Sequence, residues 1–188
     1  MESKSLKSII IGFAGKIGSG KTTISAAVAE ALNWPRASFG DYVRRVARQR
    51  GLEESREVLQ EIGASLVENP DEFCLSILGL VDWKRGQNLV VDGIRHAKII
   101  DALRRVTEPS RVFLVFVKVN ERVRRKRHLN DRDAGKQAAP KYEAHTTEAD
   151  VNTVLPAMAE LVADGARPVP DLVNQIVTWI RDKSAAEI

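Results

Sequence analysis

Residues Gly15-Lys16-Ile17-Gly18-Ser19-Gly20-Lys21-Thr22 set two glycines, a lysine and a threonine at the spacing G-x-x-x-x-G-K-[ST]. That spacing suits one chemistry, the holding of a polyphosphate. Glycines let backbone N–H groups turn inward around phosphate oxygens, and a following helix adds the positive end of its dipole. Lys21 is then placed to reach the β- and γ-phosphates of ATP, and the Thr22 hydroxyl to sit on Mg²⁺. Gly15 through Thr23 form the expected cofactor-binding set. The apolar run 8–14 before them reads as a buried strand, and 23–32 after them as a helix, the context the motif requires.

Further residues could act on these phosphates or on an acceptor beside them. Asp92 closes the apolar run Leu89-Val90-Val91 and is expected to help hold Mg²⁺ through water. The other reading of Asp92-Gly93 is a strand-end turn, since Asp-Gly is a common turn pair. No glutamate follows Asp92, so the acidic pair that activates water in motor-type ATPases is missing, which favours transfer over hydrolysis. Arg44 and Arg95 suit the clamping of an acceptor phosphate, because a planar guanidinium binds phosphate bidentately. Arg44 also fits a solvated helix face, and for Arg45, Arg48 and Arg50 the solvated face is preferred. Arg124 and Arg127, three apart, share a helical face, and Arg132 lies beyond on a polar stretch. These three read as arginines of a lid over the ATP phosphates, as a solvated helix, or as a nucleic-acid patch. Asp131 and Asp133 break the positive run and no aromatics interleave to stack bases, which argues against nucleic acid. Gln60 is a candidate acceptor contact or a surface glutamine. Asp41, beside Gly40, is a candidate acceptor-side carboxylate.

The elements that must position these residues follow from the apolar pattern. After a loop and short strand over 33–39, Gly40 and Asp41 open a helix through Arg50, which Gly51 ends. A second helix is predicted over 53–67. Asn69-Pro70-Asp71-Glu72 reads as an N-cap, a proline at the first position and acids in the first turn, with the helix reaching Trp83. Leu89–Val91 is a strand, 96–106 a helix, and 112–117 a central strand. Asn120 caps a basic helix to Leu129, and Thr147 caps a helix to Val162. Residues 164–168 form a turn with a weak last strand, and 171–181 a final helix. Continuously apolar strands alternating with helices argue an α/β fold with a parallel sheet covered on both faces. Ligands then bind beyond the carboxyl ends of the strands.

The chain has 188 residues, 44% of them hydrophobic, enough for one domain over 1–188 with one core. The single cysteine, Cys74, excludes an internal disulfide and a cysteine-based metal site. No apolar stretch approaches the ~20 residues that span a bilayer. Lys4 and Lys7 before Ile9-Ile10-Ile11 loosely imitate a signal peptide, but cleavage there would destroy the phosphate loop, so a cytoplasmic protein is expected.

Taken together, Gly15–Thr22, Gly40-Asp41-Tyr42-Val43-Arg44, Val91-Asp92-Gly93-Ile94-Arg95 and the arginines over 124–132 resemble the nucleoside monophosphate kinase group of P-loop kinases. That group includes adenylate kinase, dephospho-CoA kinase and the phage-type deoxynucleoside monophosphate kinases. Leu59-Gln60-Glu61-Ile62-Gly63 followed by Asn69-Pro70-Asp71-Glu72-Phe73 looks most like the deoxynucleoside branch. The resemblance implies a three-layer fold on a five-stranded parallel sheet in the order 2-3-1-4-5. It also implies an acceptor-binding helical region at about 40–85 and a short arginine-bearing lid at about 124–145. The expected function is ATP- and Mg²⁺-dependent phosphoryl transfer to a small phosphorylated acceptor, a (deoxy)nucleoside monophosphate. Catalysis would fall to Lys21, Asp92, Arg127 and Arg132, ATP binding would include Arg124 and Arg127, and the acceptor would meet Asp41, Arg44, Gln60 and Arg95. A hydroxyl acceptor (dephospho-CoA or a nucleoside), a simple ATPase and a non-catalytic nucleotide sensor are the other readings.

Overall fold

Strand β1 (Ile9–Ala14) is buried at every position, because it lies in the middle of a sheet with helices on both sides. The structure is a computed structural model that describes residues 8–130 and 150–185. Chain order gives β1, α1 (Lys21–Leu32), β2 (Arg36–Ser38), α2 (Phe39–Gln49), α3 (Arg56–Val67), α4 (Pro70–Gly79) and β3 (Leu89–Ile94). Then come α5 (Ala97–Val106), β4 (Arg111–Lys118), α6 (Glu121–Asn130), α7 (Val154–Met158), β5 (Leu161–Asp164) and α8 (Val169–Ala185). The five strands are parallel and ordered β2-β3-β1-β4-β5, the expected α/β topology.

Successive side chains of a strand point to opposite faces, and β1 feeds two cores. Ile9, Ile11 and Phe13 pack with Ile24 and Val28 of α1 and with Leu172, Ile176 and Ile180 of α8. Ile10 and Ala14 join Val43, Val46, Ile77, Ile100 and Leu103 on the opposite face. Each fully buried Ile or Phe contributes about 1.5–3 kcal/mol relative to exposure, so this strand is a strong anchor for the loop that follows it. Gly12 is a close-packing position, where an added Cβ would lie 2.4 Å from Ile94 Cδ1.

Several local expectations give way to tertiary contacts. The Asn69 side chain makes no cap bond, although Pro70 does open α4. That helix stops at Gly79, short of Trp83, because Asp82 enters the left-handed region at φ 50°. Trp83 Nε1 then donates to the Gln87 carbonyl at 2.9 Å. The expected helix up to Val162 is broken: α7 ends at Met158, and Leu161–Asp164 is the edge strand β5. Its pairing is with β4, where Val115–Lys118 lie opposite Leu161–Asp164. Glu160 flanks that pairing by accepting from Leu114 N–H with Oε2 at 2.7 Å. Thr147, Arg132 and the expected lid beyond Asn130 lie outside the described residues.

Cys74 is buried on α4, with its thiol 3.9 Å from the Ile99 carbonyl. Burial first, and the Asp71 charge second, push that thiol up to about 12 from an ordinary 9.0. A raised folded-state value means that the stability tied to the neutral thiol is intact below 9 and is lost as pH climbs toward 12. Cys74 should therefore resist a disulfide thiol reagent at pH 8 in the native protein and react at once in denaturant. Fast native labelling would show that this core opens readily.

Candidate functional site: a phosphate loop beside an arginine-lined cavity

The loop between β1 and α1 ends on Gly20, which caps α1 at φ 87° with no side-chain bond to the helix N–H groups. A left-handed residue there costs glycine little. The result is a 12-residue helix whose first turn is capped by no side chain, the arrangement that binds phosphate. Gly15 admits no side chain, since a Cβ would sit 2.6 Å from the Val117 carbonyl. Helix α1 begins on Lys21, two residues earlier than expected. Lys21 is buried, while Thr22 and Thr23 are exposed. The Ser19 hydroxyl is buried without a partner. Gly165, just past β5, closes on the loop from the other side: a Cβ there would meet the Ser19 carbonyl at 2.6 Å.

Helix α6 lies over the loop. The Asn120 side chain accepts from Val123 N–H at 2.9 Å, the expected cap. Arg127 donates from Nη1 to the Ser19 carbonyl at 3.3 Å and is itself exposed. Arg124 is buried and engages Glu121 at 2.7–3.2 Å. Both arginines therefore reach the phosphate loop, Arg127 directly and Arg124 with its charge shared by Glu121.

Asp92 is buried inside β3, which continues through Gly93 to Ile94. The strand-end turn is not formed. Gly93, at φ 88°, instead makes an irregularity at which β1 pairing jumps from Phe13–Asp92 to Ala14–Ile94. Asp92 Oδ2 accepts from Arg36 Nη2 at 2.6 Å, and Oδ1 is buried without a partner. Among the described residues no three His, Cys, Asp or Glu side chains converge as a metal cage. A cation here would take most of its ligands from water and phosphate, the regime Mg²⁺ prefers. The unpartnered Oδ1 and the exposed Thr22 fit that ion.

A cavity of about 200 Å³ opens between the loop, α2, α3 and the end of β3. Phe39, Val43, Leu59 and Phe73 give it apolar walls, and Arg44, Arg56, Gln60, Arg95 and His96 give it polar ones. Ile17 of the phosphate loop also lines it. Gln60 Nε2 is buried without a partner. Asp41 does not line the cavity: its side chain is 64% exposed and faces Arg44 at 3.7 Å. The expected acceptor-side carboxylate is thus on the outer face of α2, because Phe39, Val43, Val46 and Ala47 take the buried face. Arg48 pairs with Glu54 on the solvated face, as expected of it. Arg44, Gln60 and Arg95 all line this one cavity.

Arg36, Arg56 and His96 were not singled out from the sequence. Arg56 carried a signal, since 56, 60 and 63 share a helical face. His96 precedes α5 without capping it. Asp150 does that instead, accepting from Ala97 N–H at 2.9 Å and lying 3.7 Å from His96 Nδ1. Arg36 carried none.

The family described as AAA domain matches residues 11–149. A UPF0200 protein of Methanothrix thermoacetophila is 33% identical over 116 residues, 62% of this chain and 63% of the relative. A cytidylate kinase of Pyrobaculum islandicum is 26% identical over 119 residues, 63% of this chain and 58% of that protein. The match thus spans under two thirds of either relative. A shikimate kinase from Aquifex aeolicus shares the fold, with a TM-score of 0.59 at 16% identity over 94% of this chain and 98% of that one.

Proposed function

Because the chain belongs to the AAA domain family, matched over residues 11–149, we propose that it is an ATP-dependent kinase for a small phosphorylated acceptor, a (deoxy)nucleoside monophosphate. One observation carries the choice of acceptor. Among the described residues, the cavity beside the phosphate loop is lined by Arg44, Arg56 and Arg95 and by no carboxylate. A hydroxyl acceptor, as in a sugar, a nucleoside or dephospho-CoA, calls for a base within hydrogen-bond reach. Asp41 does not line the cavity, and Asp92 is held by Arg36. A monophosphate needs no base, since its oxygen is already anionic at pH 7. It needs positioning and cationic donors, which the arginines supply.

In this reading the open turn of α1 and Lys21 hold the ATP phosphates, and Arg127 stands over the loop to meet charge that develops during transfer. Thr22 and Asp92 would hold Mg²⁺, which when bound neutralises charge between the β- and γ-phosphates. Arg44 and Arg95 orient the acceptor phosphate, and Gln60 offers its unpartnered N–H to the acceptor's polar edge. The apolar walls exclude water, which suppresses hydrolysis. Arg132 belongs to the proposed lid and completes the arginine set there.

The test is ADP release from ATP with a panel of nucleoside monophosphates, nucleosides and sugars. Release that depends on a monophosphate supports the reading. Release without any acceptor makes the protein an ATPase, and tight ATP binding without release makes it a sensor. Arg44→Lys should raise the acceptor KM about tenfold or more, the loss of one charge-assisted hydrogen bond of about 1.5–3 kcal/mol. The ATP KM should stay unchanged. Equal rises in both would assign Arg44 to the other phosphate.

A further inference from the structure

Arg36 has a place that the proposed reaction does not use. It opens β2, two residues before Ser38, the residue opposite Asp92 in the β2–β3 pairing. Its guanidinium divides between two partners. Nη2 donates to Asp92 Oδ2 at 2.6 Å, and Nε donates to Ser25 Oγ at 3.1 Å. Ser25, fully buried, donates in turn to the Thr22 carbonyl at 3.0 Å. One arginine therefore touches the buried carboxylate and, through Ser25, the first turn of α1. The bidentate fork that gives the strongest arginine–carboxylate pair is left unused, and Asp92 Oδ1 stays buried and unpartnered.

We propose that Arg36 is a positioning residue that makes Asp92 a cation ligand only when nucleotide is present. This inference rests on the P-loop reading above. The Arg36–Asp92 pair carries no net charge, so the site without nucleotide offers a divalent cation no net attraction. Taking a cation there would also set it against a guanidinium in a region of reduced dielectric. A triphosphate brings several negative charges and reverses that balance, while Oδ1, kept clear of Arg36, is ready for the cation's water shell. Arg36 thus selects the metal–nucleotide complex over the free ion. The Ser25 link holds the carboxylate and the Thr22 turn in one register.

The experiment uses Mn²⁺ as probe on the full chain, followed by water-proton relaxation with and without a non-hydrolysable ATP analogue. Wild-type protein should bind Mn²⁺ only with the analogue. Arg36→Gln keeps an N–H donor for Asp92 but no charge. It should gain a nucleotide-free Mn²⁺ site at least about tenfold tighter than any in wild type, lost again when Asp92→Asn is added. Arg36→Lys, which keeps the charge, should stay blind to free Mn²⁺. A folded Arg36→Gln protein that binds free Mn²⁺ no better than wild type overturns the proposal. So does a wild-type protein whose nucleotide-free Mn²⁺ site disappears with Asp92→Asn, a result that stands even where Arg36→Gln does not fold. Wild type that binds neither Mn²⁺ nor the analogue removes the P-loop reading itself, and the proposal with it.

Discussion

Lys21→Ala is expected to lower phosphoryl transfer by at least about 10²–10³-fold while leaving the fold in place. Lys21 is the first residue of α1 and is buried beside the loop, where water screens its charge poorly. In the kinase reading its ammonium meets phosphate charge that grows during transfer, and a group that acts mainly in the transition state affects kcat more than KM. The fold is carried by other contacts. Alanine is the better helix former, and α1 is anchored by Ile24 and Val28 in the sheet core. The measurement pairs ADP release with thermal unfolding. A Lys21→Ala protein that unfolds normally and turns over near the wild-type rate removes the kinase reading.

Asp92→Asn should be nearly as damaging to turnover, and it should also show in stability. The amide keeps the shape of the carboxylate, so packing inside β3 is undisturbed. In the kinase reading, what is lost is the charge offered to Mg²⁺, with an expected fall of about 10²–10³-fold in kcat. The hydrogen bond from Arg36 at 2.6 Å loses its charge assistance as well, since an amide oxygen still accepts from Nη2 but carries no charge. The cost is about 1 kcal/mol, the difference between a charge-assisted and a neutral hydrogen bond, and the melting temperature falls accordingly. The two effects separate experimentally. Saturating Mg²⁺ with ATP should not restore kcat, whereas the Tm loss should appear with no ligand present. Full turnover at saturating Mg²⁺ would give Asp92 a structural role alone.

The phosphate loop, its strand and its helix were legible because their signals are local. Glycine spacing sets the loop, an apolar run sets β1, and alanine-rich periodicity sets α1. The acceptor arginines were half legible. Arg44 and Arg95 stood beside short motifs, and Arg56 shared a helical face with Gln60, a relation visible in the spacing but not used. His96, adjacent to Arg95, has no second histidine at ligand spacing to mark it.

The sequence by itself determined a parallel sheet covered on both faces and a phosphate-binding turn at the end of its buried first strand. These depend on side-chain polarity and backbone freedom within about ten residues, which no distant contact needs to supply. Tertiary structure alone decided that Leu161–Asp164 is a strand, since the N–H and C=O groups of an edge segment take whichever partner the sheet offers. It alone put Asp41 outside the cavity, because the packing of Phe39, Val43, Val46 and Ala47 fixes the rotation of α2. It alone joined Arg36 to Asp92, 56 residues apart in the chain. Strand register across a sheet is set by the packing of the whole, and a charge pair that depends on register leaves no trace in local pattern.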